Sequence, residues 1–185
     1  MLDGPYNTGT LLMGDNLRNL GLIPNAHPYA GAPFNHIGSE TIDAGVLDVT
    51  GNDAIVDWVL LELRDETTPS TIVATRAALV QRDGDIVDMD GVSEVKFFGV
   101  VDGNYHLAVR HRNHLGAMTA GTYPLSQIPT DVDLTDPLEA TYGTNARRVQ
   151  NNIARLWVGH GFIMAGELGR GFPEDRGLNE KLLTL

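Results

Sequence analysis

The sequence predicts a mainly β protein: an antiparallel β-sandwich of immunoglobulin-like or prealbumin-like character, with an irregular N-terminal arm before it and one C-terminal helix after it. Three observations carry this expectation. Short β-type runs recur from Val46 to about Asp136, each closed by turn residues. Two Asp-Gly pairs, in Arg82-Asp83-Gly84-Asp85 and Val101-Asp102-Gly103-Asn104, fall between such runs and supply the positive φ of a tight hairpin. In the run Ala54 to Arg64, Ile55, Asp57, Val59, Leu61 and Leu63 alternate with Val56, Trp58, Leu60, Glu62 and Arg64, so both faces are apolar at the centre, as in a central strand.

The elements follow in order. Residues 1–45 are rich in Gly, Pro, Asn and Thr, with a short helical stretch at Asp15 to Leu20 closed by Gly21; Pro5, Pro24, Pro28 and Pro33 alternate with Tyr6, Tyr29 and Phe34, which suits an arm packed on the sandwich or on a neighbour. Within the sandwich, residues 46–140, strands are expected near 45–50, 54–64, 71–81, 85–89, 94–100, 104–112 and 131–134. Val149, Ile153, Leu156 and Trp157 recur at helical spacing behind Thr144 or Asn145, which predicts an amphipathic helix over 141–158. Gly159, Gly161, Gly166, Gly169, Gly171 and Gly177 make the tail, 159–185, a poor helix former, expected to be loosely ordered.

A chain of 185 residues has room for one sizeable core. With 24 acidic against 13 basic residues the net charge is -11, which opposes binding to phosphate backbones or anionic lipid. No apolar run approaches the roughly 18 residues of a membrane-spanning helix. The absence of cysteine removes disulfides, thiolate metal sites and thiol nucleophiles together. Leu2-Asp3-Gly4-Pro5-Tyr6 lacks the basic and apolar regions of an export signal, as expected of a chain whose leader is missing or was removed.

The densest polar run is Tyr105 to Asn113 and His114. If it is extended, His106, Arg110, Arg112 and His114 share one face, opposite Leu107, Val109, His111 and Asn113. At about 3.3 Å per residue His106 and His114 would then lie roughly 26 Å apart, too far for one metal ion unless a turn intervenes. The simpler reading is that His111 and Asn113 hydrogen-bond the next loop while the arginines pair with carboxylates. His106, Arg110, Arg112 and His114 remain the candidate binding residues; in the alternative they serve a metal-dependent or carbohydrate-active enzyme.

Asp83, Asp85, Asp88 and Asp90 offer a weak surface Ca²⁺ site, since hard cations take clustered carboxylates. The EF-hand spacing fails, with Val87 at position five and Asp88 in place of the glycine at six, so two acidic turns bracketing Ile86-Val87 are the simpler account. Ser39, Ser70, Ser93 and Ser126 lie in no nucleophile elbow, and no phosphate-binding loop occurs. Pairs such as Asp57 with Glu62 or Asp131 with Asp133 are expected by chance in so acidic a chain. No catalytic residue and no other cofactor is expected.

Leu2-Asp3-Gly4-Pro5-Tyr6, Gly21-Leu22-Ile23-Pro24, Asn52 to Val59, Leu79 to Asp85 and, most specifically, Ala108-Val109-Arg110-His111-Arg112-Asn113-His114-Leu115-Gly116 make the chain, over about residues 2–145, similar to a module near the C-terminal end of large secreted, hemagglutinin-like or adhesin-like surface proteins of Bacteroidetes-type bacteria. Gly103-Asn104-Tyr105 also resembles the turn that starts a late strand in the prealbumin-like sandwiches of adhesin stalks. The resemblance implies a non-enzymatic, extracellular or cell-surface module whose partners are other surface proteins, glycans or copies of itself. A self-assembling protomer of an extracellular filament or sheath is the alternative within that class. After Trp157 the sequence departs from the pattern.

Overall fold

Ile55–Asp65 is the strand on which the rest is laid out, buried at every position but its last. In the computed structural model, which describes residues 1–159, it is β3 of the order β1 (Tyr6–Asn7), β2 (Leu12–Met13), α1 (Asn16–Asn19), β3, β4 (Ile72–Gln81), β5 (Ile86–Val87), β6 (Gly103–His111), β7 (His114–Met118), β8 (Tyr123–Leu125), β9 (Arg147–Gln150) and β10 (Ile153–Leu156). One antiparallel sheet runs β5-β4-β3-β6-β7, with β8 paired to the start of β6; β1–β2 and β9–β10 form separate antiparallel ribbons. The protein is thus mainly β and antiparallel, with β3 central as its two apolar faces require.

A register shift between Ile55 and Asp57 alters the simple alternation. Ile55 joins Trp58, Leu60, Ala77 and Leu79 on one face, while Val56 joins Val59, Leu61, Ala78 and Val80 on the other. An extra residue in one strand reverses side-chain parity beyond it. Asp57, at this irregularity, is one of the sheet's few buried carboxylates.

The arm divides between the two faces: Leu2 and Met13 join the Val59 face, and its later part covers the Trp58 face. Ile23, Tyr29, Ile42 and Val46 pack there, each worth about 1.5–3 kcal/mol if fully removed from water. Hydrogen bonds fix its path: the Tyr29 hydroxyl donates to the Trp58 carbonyl (2.8 Å), the Trp58 indole N–H donates to the Pro24 carbonyl (2.8 Å), and Met13 N–H donates to the Arg82 carbonyl (2.7 Å).

Several expected elements take another form. Residues 94–100 and 131–134 are not strands. Val95 and Phe97 are partly buried while Glu94, Lys96 and Phe98 are exposed, so the alternation reflects loops lying on the sheet without a neighbouring strand to hydrogen-bond. Val101 to Asn104 accordingly leads into β6 without making a hairpin, whereas Arg82 to Asp85 does join β4 to antiparallel β5, with Gly84 at φ +105°. Val46–Asp48 is a single 3₁₀ turn. Over 141–158 the expected helix is replaced by the β9–β10 hairpin, turning through Asn151 and Asn152 at φ +54° and +59°. Two consecutive residues at positive φ are the signature of a two-residue hairpin turn. The expected tail, apart from Gly159, lies outside the described residues.

Candidate functional site

The polar run does not stay extended. β6 ends at His111, Arg112 and Asn113 turn, and β7 begins at His114, which sits opposite His111 in the antiparallel register. His106 and Arg110 are left on the Trp58 face of the sheet, across from Arg64 and Leu60. The structure therefore splits the four candidates into two pairs.

His106 Nδ1 lies 3.0 Å from the Thr119 carbonyl, a link from β6 to the end of β7. Arg110 donates to Glu62 Oε1 (2.9 Å) and stacks its guanidinium over the Phe34 ring of the arm at 4.9 Å. Glu62 is fully buried, and Arg64 donates to its other oxygen through Nε (3.0 Å) and Nη2. One carboxylate thus joins two arginines. Such a group is consumed by its partners, with nothing left to offer a ligand.

At the turn, Asp57 Oδ2 accepts from His111 Nε2 (3.1 Å) and Arg112 Nη2 (2.9 Å), and Oδ1 accepts from the Trp58 amide (2.8 Å). His111 Nδ1 accepts from the Asn113 amide (3.1 Å), so its proton is on Nε2. His114 Nδ1, 2.9 Å from His111 Nδ1, must then donate, which leaves the His114 Nε2 lone pair bare. That atom is buried and has no hydrogen-bond partner. Burial, and next the adjacent His111, push the His114 pKa down to about 4.

Among the described residues, His27, His36 and Glu40 of the arm form the group whose ligand atoms approach metal-binding spacing, all within 4.8 Å of one another. Their hydrogen bonds already account for those atoms. His27 Nδ1 accepts from the Tyr29 amide (3.2 Å), so Nε2 carries the proton it donates to the Gly38 carbonyl (2.8 Å). His36 bridges Thr75 Oγ1 (2.7 Å) and Glu40 Oε2 (3.0 Å), and Arg76 donates to Glu40 Oε1 (3.3 Å). Burial, the largest influence, raises the Glu40 pKa, but the His36 hydrogen bond, with the charges of His36 and Arg76, outweighs it and holds the carboxyl below its ordinary range. The cluster clasps the arm to β4.

Asp83, Asp85, Asp88 and Asp90 are not gathered into one such group. Asp88 pairs with Arg76 at 2.7 Å, Asp83 accepts from the Asp85 amide, and Asp90 accepts from Val92 and Ser93. The side-chain hydrogen bond from Ser93 is the main reason that the Asp90 pKa falls to about 2. Asp83 and Asp90 thus close turns, and Asp88 anchors Arg76 of β4.

On the sheet face away from Trp58, the 92–102 and 126–135 loops leave a cleft of about 1100 Å³ floored by Val59, Leu61, Leu63 and Val109. Phe98, Val101 and Ile128 line it while remaining three-quarters exposed. Sequence reasoning missed both this cleft and the His27–His36–Glu40 clasp. His-x8-His-x3-Glu was a readable spacing for the clasp; no local signal marks the cleft.

Compared with known proteins, the chain matches no family, no curated protein and no solved structure. Its class is defined by the sheet itself, as a mainly antiparallel β protein with a docked N-terminal arm.

Proposed function

We propose that this chain is a non-enzymatic structural or adhesive module of a bacterial cell-surface protein, extracellular, sandwich-like in architecture, and binding through surface. The observation that carries the reading is the division of labour between the sheet's two faces. On the Trp58 side Glu62 and Glu40 are occupied by arginine or histidine partners within the fold, while the opposite face presents a broad cleft with an apolar floor and exposed Phe98, Val101 and Ile128, whose lining also carries Asp102, Asp131 and Asp133. Exposed apolar surface of this kind marks contact with another macromolecule. The partner that suits it is an apolar segment of another surface protein.

Filament growth by strand addition is less well supported. The β5 edge is two residues long, and the β7 side is met by Trp157 to Gly159, through Leu115 N–H to the Trp157 carbonyl and Gly159 N–H to the Asn113 carbonyl. For the enzyme alternative, His106, Arg110 and Arg112 are engaged internally, leaving the His114 Nε2 lone pair alone.

Beads coated with the chain should be retained saturably on an array of immobilised extracellular proteins, and the Val101→Glu/Ile128→Glu double variant should lose retention while keeping its circular dichroism. Retention unchanged in the double variant, or on no surface at all, would refute the reading.

A further inference from the structure

The cleft on the Val59 face carries a charge pattern that its apolar floor does not require. Asp83, Asp85, Glu94, Asp102, Asp131 and Asp133 belong to its lining, against one basic residue, Lys96. All of these except the half-buried Asp83 are exposed, as are Phe98, Val101 and Ile128 beside them, so an incoming partner can reach both the charges and the apolar side chains. We propose that the cleft takes a cationic, amphipathic segment of another protein, with apolar side chains laid on the floor and lysines or arginines meeting the carboxylates around it. This rests on the reading of the cleft as a docking surface and adds the partner's chemistry.

The carboxylates are uncompensated within the fold. Among the described residues, Arg147 donates to the Leu134, Asp136 and Glu139 carbonyls, and the other arginines pair with Asp3, Asp15, Asp57, Glu40, Glu62 or Asp88, none of which lines the cleft. Asp85 registers the crowding: burial first, and then the charges of Asp83, Asp133 and Asp53, raise its pKa. An occupant lying on Val59, Leu61, Leu63 and Val109 would take water from these carboxylates, and a charge drawn out of water is costly unless an opposite charge meets it. An apolar segment therefore fits best when lysine or arginine flanks it. A second copy of the chain brings the same net charge of -11, which opposes self-association at this face.

The test titrates the full chain, by calorimetry at low salt, with three synthetic peptides that share their leucine and valine positions and carry lysine, glutamine or glutamate between them. The lysine peptide should bind saturably, at least about tenfold more tightly than the glutamine peptide, with the glutamate peptide weakest and the advantage shrinking as salt is raised. Asp85→Asn/Asp102→Asn/Asp131→Asn should bind the lysine and glutamine peptides alike. Asp43→Asn/Asp48→Asn/Glu66→Gln, which removes as much charge from exposed positions outside the cleft, should keep the preference. Equal binding of the lysine and glutamine peptides to the unaltered chain would overturn the proposal while leaving the docking surface standing. A preference lost equally in both triple variants would reduce it to net charge and overturn it. Self-association of the chain alone, abolished by Val101→Ser/Ile128→Ser, would give the cleft to a second copy and overturn it too. Saturable binding of no peptide would also overturn it, with the array of immobilised proteins still deciding the docking surface.

Discussion

Replacing Glu62 by Ala tests whether the buried charges act as scaffold. The Glu62 side chain is 1% exposed and that of Arg64 is 7% exposed, so removing the carboxylate strands a guanidinium whose remaining bond is to the Pro69 carbonyl. Leaving one member of a buried ion pair uncompensated costs about 3–5 kcal/mol. For a chain of this size each kcal/mol moves Tm by roughly 2–4 °C, giving a fall of roughly 6–20 °C. Arg110→Ala should cost less, about 1–2 kcal/mol, because that arginine is 29% exposed and loses a partly solvated ion pair plus its stacking on Phe34. Glu62→Met combined with Arg64→Leu should recover most of the Glu62→Ala loss, since apolar replacement of a whole buried pair is often close to neutral. Urea unfolding followed by tryptophan fluorescence measures all three. A Glu62→Ala loss below about 1 kcal/mol, or a double variant no better than the single, would refute the reasoning.

Three other outcomes follow from the same contacts. Gly38→Ala should destabilise by about 1–3 kcal/mol, because a Cβ at position 38 would lie 2.0 Å from Glu40 Oε2 and 2.2 Å from His36 Nε2 and must part them; thermal unfolding checks this. Tyr29→Phe should cost about 1–3 kcal/mol by leaving the Trp58 carbonyl unpaired, measured by urea unfolding. His114 binds its proton less readily when folded, from an ordinary 6.5 down to about 4, so stability should fall as pH drops through that window and level off below it. His114→Phe should flatten that part of the stability–pH curve, and a slope equal to that of the unaltered protein would contradict the assignment.

The strands were legible where a β-type run was long and had long partners. Ile55 to Asp65, Ile72 to Gln81 and Gly103 to His111 fall close to their expected bounds. Alternation alone misled at Val95 and Phe97, which face inward from a loop, because periodicity reports which side chains are buried and says nothing of backbone partners. The hairpin at Asn151-Asn152 read as a helix because Val149, Ile153 and Leu156, four and three residues apart, fit the helical period; the paired asparagines, tolerant of positive φ, were the local signal that decides it. Of the candidate site, Arg112 and His114 belong to one network joined through Asp57 and His111, and His106 and Arg110 stand apart from it. The distinction depends on a turn at Arg112-Asn113 that the unbroken polar sequence hides. Asp57 reaches His111 from more than fifty residues away, a juxtaposition set by β3–β6 pairing and invisible to local spacing.

Native-state hydrogen exchange tests most directly whether buried polar clasps fix the arm to the sheet. The His36 and Ile42 amides, bonded within the arm to the Tyr29 and Asn25 carbonyls, should exchange with nearly the same opening free energy as the amides of Trp58 and Leu60 in β3. Arm amides that exchange freely while β3 stays protected would contradict the account.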